Sequence, residues 1–140
     1  MTYFPDLSPY SYTRTPPEGE GEPVNVGWLD ADHDHPRGDA PDGLLAALVA
    51  RCDKRINRTR GVHFCDLCPR LTPDEYRARW NDLVVFRSEY GDVDVGNGEI
   101  HVPNGAGRVY LAPTLIVHYV GVHRYLPPRE FVEAVLSGGG

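Results

Sequence analysis

Cys65-Asp-Leu-Cys68, together with His118 and His123, constrains this chain more than any other feature. Two cysteines separated by two residues can grip one metal ion from a tight turn. Two histidines near the end of a short helix supply the other donors of a tetrahedral Cys2His2 set. If all four serve one ion, the middle of the chain must fold back onto its C-terminal part, across the 49 residues from 69 to 117. That span exceeds the spacing of compact zinc fingers. The ion that suits two thiolates and two imidazoles is Zn2+, a borderline-soft cation with no geometric demand beyond four ligands.

On an ideal α-helix, His118 and His123 differ by about 500° of rotation, roughly 140° net. Their convergence therefore predicts a helix that tightens in its last turn. His63 competes for a ligand position. It lies two residues before Cys65, and in an extended segment such residues point the same way. The candidate ligands are thus Cys65, Cys68, His118, His123 and His63. Four protein ligands make a closed, structural site. Three leave a position for water and open the way to hydrolysis. A thioredoxin-like redox pair would need the cysteines to open a helix after a strand, and Pro69 with its arginine-rich flank does not give that context.

The length of 140 residues fits one compact domain with its own core. The 15 glycines and 13 prolines predict short elements and many turns. Three cysteines cannot all pair internally, and the segment from Met1 to Asp6 has neither a basic nor an apolar leader character. The expectation is a reduced, cytoplasmic chain with metal-binding thiols. No stretch approaches the ~20 apolar residues of a membrane span.

Charge is unevenly spread around a net of −6. Residues 1–50 carry nine acids and two bases, whereas residues 51–79 carry eight bases and four acids. Arg51, Lys54, Arg55, Arg58 and Arg60 form a cationic island beside the cysteine turn. Such an island can meet a nucleic-acid phosphate, but an acidic chain disfavours that role. The bland alternative is pairing with the chain's own acids.

Residues 1–23, with five prolines, read as a Pro/aromatic arm lying over the domain through Tyr3, Phe4, Leu7, Tyr10 and Tyr12. Asn25–Asp30 reads as a short strand. Asp42 reads as the N-cap of a helix whose apolar face is Leu44, Leu45, Leu48, Val49 and Cys52. Cys52 is thereby a core residue. Thr72-Pro-Asp-Glu75 announces another helix through a capping box with proline at its first position. It carries Tyr76 and Trp80. Strands follow around 83–86, 92–95, 99–102 and 109–111, separated by glycine turns. A helix from Pro113 to His123 and a last one over 129–136 complete the order, with 138–140 as a frayed tail. The fold class is α+β: a small antiparallel β-meander with short helices around a zinc-stapled turn, in a treble-clef-like outline.

Other polar clusters carry less chemistry. Asp30-Ala-Asp32-His33-Asp34-His35 alternates carboxylates and imidazoles, but a loop of this composition collects such residues as solvated turn chemistry. His101 reads as a surface position on a hairpin strand. No phosphate-binding loop with its lysine and no Gly-x-Ser-x-Gly elbow occurs.

The segments Tyr3–Tyr10, Val26–Asp30, Arg60–Cys68 and His118–Pro128 together resemble a family of small, uncharacterised bacterial proteins of actinomycete type. The resemblance implies a stand-alone bacterial cytoplasmic protein and no particular substrate. The reading that follows is a small soluble zinc protein with a binding or accessory role, such as an immunity protein plays toward a protein partner. Its contact surface would be the acidic arm and exposed aromatics. The alternatives are a zinc-dependent hydrolase or nuclease with an open metal position, and nucleic-acid binding through Arg51–Arg60.

Overall fold

The computed structural model describes residues 3–10, 21–52, 64–95 and 97–137. Its architecture is α+β. Strand β1 (Glu22–Asn25) is followed by helix α1 (Leu44–Arg51), the short helices α2 (Pro73–Ala78) and α3 (Trp80–Leu83), strands β2 (Val85–Ser88), β3 (Gly91–Asp94), β4 (Glu99–Pro103) and β5 (Arg108–Pro113), and helices α4 (Ile116–His123) and α5 (Arg129–Leu136).

The strands do not form one meander. β2 and β3 make a separate antiparallel hairpin, while β1, β5 and β4 form a three-stranded mixed sheet with β5 in the centre. β4 runs antiparallel to β5, and β1 runs parallel to it, from Glu22 opposite Arg108 to Asn25 opposite Leu111. Val109 through Ala112 are fully buried on β5. A strand covered on both faces reads as a continuous apolar run, not as alternation. The β4–β5 turn is held by Asn104, whose Oδ1 accepts from the amides of Ala106 and Arg108.

The first strand lies earlier than the sequence suggests, at Glu22–Asn25. Val26, Trp28 and Leu29 continue it as buried chain, with the Val26 amide and the Trp28 indole both donating to the Leu111 carbonyl of β5. The arm is held less by its aromatics than by backbone pairing. Leu7 and Tyr10 donate amides to the carbonyls of Asn25 and Pro23, and Asn25 donates to Ser8. This covers the outer edge of β1. Asp6 adds a half-buried anchor, accepting from the Gly27 amide and from the Tyr125 hydroxyl.

Helix α1 starts at Gly43, in the left-handed region at φ 85°, and no side chain caps it. Asp42 is therefore not its N-cap. α2 does carry the expected capping box between Thr72 and Glu75. It breaks at Arg79, so Tyr76 and Trp80 sit on two consecutive short helices instead of one. Both rings nevertheless pack on Phe64.

The core gathers Leu44 and Leu48 of α1, Tyr110 of β5, Ile116 and Tyr119 of α4 and Phe131 of α5, all essentially inaccessible to water. Cys52 belongs to the same core, as its place on the apolar face of α1 implies. Gly121 brings α4 against the β2–β3 hairpin: a Cβ there would stand 2.8 Å from Cζ of Phe86. No described helix is long and apolar enough to cross a membrane.

Candidate metal centre

The Cys65–Cys68 turn lies across α4. Leu67 packs against the core from within the turn. Asp66 ties the turn to the preceding loop, its Oδ2 accepting from the Ala31 amide at 2.8 Å. β5 delivers α4 through Thr114, which is buried and hydrogen-bonded to the carbonyls of Asn97 and Gly98. The chain thus folds back across the 49-residue span, and the two halves of the motif meet.

Cys65, Cys68, His118 and His123 offer donor atoms that all lie within 4.8 Å of one another. Sγ of Cys65 is 3.3 Å from Nε2 of His123, and Sγ of Cys68 is 3.3 Å from Nε2 of both His118 and His123. A tetrahedron with metal–sulfur bonds of about 2.3 Å and metal–nitrogen bonds of about 2.0–2.1 Å has S···N edges near 3.5 Å. The donor set therefore has the chemistry and the dimensions to hold one metal ion.

The two histidines converge for a different reason from the one their spacing suggests. The end of α4 opens instead of tightening. The Arg124 amide donates to the Tyr119 carbonyl five residues back, and the Tyr125 amide reaches the same carbonyl. A wide final turn lowers the rotation per residue, which swings His123 back toward His118. Arg124 closes the helix in the left-handed region, at φ 56°. Such a conformation costs a residue other than glycine about 1 kcal/mol or more. The exposed pair of Arg124 with Asp39 returns at most about that much.

The surroundings favour neutral groups until a cation arrives. Burial pushes the Cys65 thiol up to about 12, and the neighbouring Cys68 adds to the rise. Burial pushes His118 down to about 4, with the nearby His123 acting in the same direction. His123 is lowered too, chiefly by burial and then by His35 and Arg37. The imidazole lone pairs are thus available, and Cys65 must give up its proton as a metal enters.

Two concavities flank the cluster. One of about 250 Å³ touches Cys65, Cys68 and His118 and is walled by Phe64, Tyr76 and Leu83, with Arg79 and Asp82 as its charged groups. The other, about 460 Å³ and more polar, touches His123.

The remaining candidates part company with the site. His63 and most of the cationic island, Lys54, Arg55, Arg58 and Arg60, lie outside the described residues. Arg51 turns inward and donates to the carbonyl of His101 at 3.0 Å. His101 itself is half-buried instead of a surface residue, and its Nε2 stands 3.7 Å from Glu99. In the Asp30–His35 segment, His33 pairs with Asp30 and stacks on Tyr3. That segment forms no metal cluster among the described residues. Sequence reasoning missed Arg37 and Arg124 as neighbours of the centre. Both are single basic residues in turns, and no local pattern marks them.

No curated protein and no solved structure matches the chain. A family model does, over residues 2–136, and the chain accordingly belongs to the family described as Domain of unknown function (DUF7919).

Proposed function

We propose that Cys65, Cys68, His118 and His123 hold one zinc ion in a closed structural site, and that the protein acts by binding a protein partner instead of by catalysis. The observation that supports this is the meeting of four protein donors at tetrahedral spacing. A cation held by four protein ligands has no position left for a reactive water. Its contribution is to staple the central turn to α4. Tetrahedral S2N2 coordination also favours zinc over hard cations such as magnesium or calcium.

A partner surface is available beside the staple. Trp80, packed on Phe64 next to the cysteine turn, is 44% exposed. Trp80 is braced edge-on by Phe64, so little side-chain entropy is left to lose on contact. Aromatic side chains of this kind dominate protein contacts energetically.

The open-site reading has one observation in its favour, the 250 Å³ cavity against Cys68 and His118. It requires one of the four donors to leave the metal. The carboxylate there, Asp82, is engaged with Arg87 at 3.1 Å and is not poised as a general base.

The test is Cys65→Ser in the full chain. We expect zinc content to fall from one per chain toward zero. The melting temperature should drop by about 10–15 °C, the effect of losing a ligand present at roughly a thousand times its Kd. Full zinc content with unchanged melting would refute the closed site.

A further inference from the structure

The polar cleft on the His123 side has walls that are fixed by backbone pairing. The Leu126 amide donates to the Pro36 carbonyl at 2.9 Å, the Gly38 amide to the Arg124 carbonyl at 3.0 Å, and Arg37 bridges Tyr125 in antiparallel register. The loop 36–38 and the chain leaving α4 are thereby locked face to face. They present His35, Arg37 and Arg124 to one concavity of about 460 Å³.

The two arginines hold more donors than the described residues satisfy. Arg37 uses its Nε toward Nε2 of His35, at a long 3.5 Å. Among the described residues no carboxylate forms an ion pair with its guanidinium. That contact makes Nε2 of a neutral His35 the acceptor, which leaves the proton on Nδ1. Nδ1 is buried and has no hydrogen-bond partner among the described residues. Arg124 spends one Nη2 on Asp39 at 2.7 Å. It also occupies a left-handed position that glycine would fill without strain. The exposed ion pair offsets at most about the cost of that conformation.

We propose that this cleft binds the phosphate group of a small phosphomonoester, held by Arg37 and Arg124 with His35 beside them. Two guanidiniums converge on one concavity, and their several N–H donors match the acceptor oxygens of a tetrahedral dianion better than a single planar carboxylate. Asp39 already neutralises part of Arg124. A monoanion therefore gains little, whereas a dianion draws on both guanidiniums. The cleft is larger than a phosphate group, with Leu67 and Val122 supplying apolar wall for a small organic substituent. The inference does not rest on the nature of the metal, since none of the three basic residues is among the four clustered donors.

The experiment is calorimetric titration of the purified full chain, with its native metal content, by inorganic phosphate and by phenyl phosphate at constant ionic strength. We expect saturable binding of one equivalent, tighter for phenyl phosphate. Arg37→Gln and Arg124→Gly should each weaken it tenfold or more. Arg124→Gly should at the same time keep or raise the melting temperature, because it relieves the left-handed strain. That combination separates a ligand-binding arginine from a merely structural one. Arg129→Ala, at an exposed pair with Glu133 elsewhere on the surface, should leave binding unchanged. No saturable binding by the native protein would overturn the proposal. So would affinity unchanged in both cleft variants, or acetate binding as tightly as phosphate.

Discussion

At the scale of single residues, burial decides which protons the protein holds. Asp6 sits inside the fold, where desolvation raises its carboxyl pKa against the pull of the Gly27 amide and the Tyr125 hydroxyl. A carboxyl that holds its proton more tightly when folded stabilises the fold below its unfolded pKa, near 4, and loses that contribution as pH rises through the folded value. Asn at position 6 keeps an acceptor for the Gly27 amide but cannot ionise. The stability of the native protein relative to Asp6→Asn should therefore decline as pH increases from about 4, read by urea unfolding at several pH values. A difference that is flat or grows with pH contradicts the assignment. The same logic applies to the thiol of Cys65, which burial keeps protonated. Metal uptake near pH 7 should release protons, measurable in weakly buffered solution, and Cys65→Ser should lose that release together with the metal.

At the scale of elements, α4 is the part on which the centre depends, because it carries both histidines. Gly121 lets it lie close against Phe86. Gly121→Ala should gain about 1 kcal/mol from helix propensity and lose about 1–3 kcal/mol from overpacking against a buried ring. The expected outcome is net destabilisation with weaker metal retention, and partial recovery when Phe86→Leu is added. A more stable single variant would show that the ring yields freely. Elsewhere, the capping box of α2 should make Thr72→Ala cost about 1 kcal/mol. These elements also show what a sequence can disclose. The capping box at Thr72 and the last helix over 129–136 are local patterns and were legible. The parallel pairing of β1 with β5 was not, because it joins residues more than eighty positions apart. The start of α1 at Gly43 and the open end of α4 escaped notice for a related reason: each depends on backbone angles set by packing, which residue preferences do not specify.

At the scale of the whole molecule, two layers rely on different forces. The three-stranded sheet with α1, α4 and α5 has a buried core that includes Tyr110, Tyr119, Tyr125 and Phe131. Burial of such side chains stabilises by roughly 1.5–3 kcal/mol each. Helices α2 and α3 have no buried residue at all. They pack on Phe64 beside the cysteine turn, and α3 leads into β2, where Arg87 pairs with Asp82. Chelation of the metal should accordingly raise amide exchange over residues 64–83 while β4 and β5 stay protected. Uniform loss of protection would mean that the metal supports the sheet as well. The candidate site itself was readable in advance as residue types and spacing. What the sequence could not disclose was the flank supplied by Arg37, which reaches the centre through the pairing of loop 36–38 with the chain leaving α4.

The central claim is that one zinc ion joins the turn to α4 through four protein ligands. X-ray absorption at the zinc edge on the purified protein, with metal content measured on the same sample, tests it most directly. We expect one zinc per chain with two sulfur ligands near 2.3 Å and two nitrogen ligands near 2.0–2.1 Å. No bound zinc, or zinc with three protein ligands and an oxygen, would contradict it.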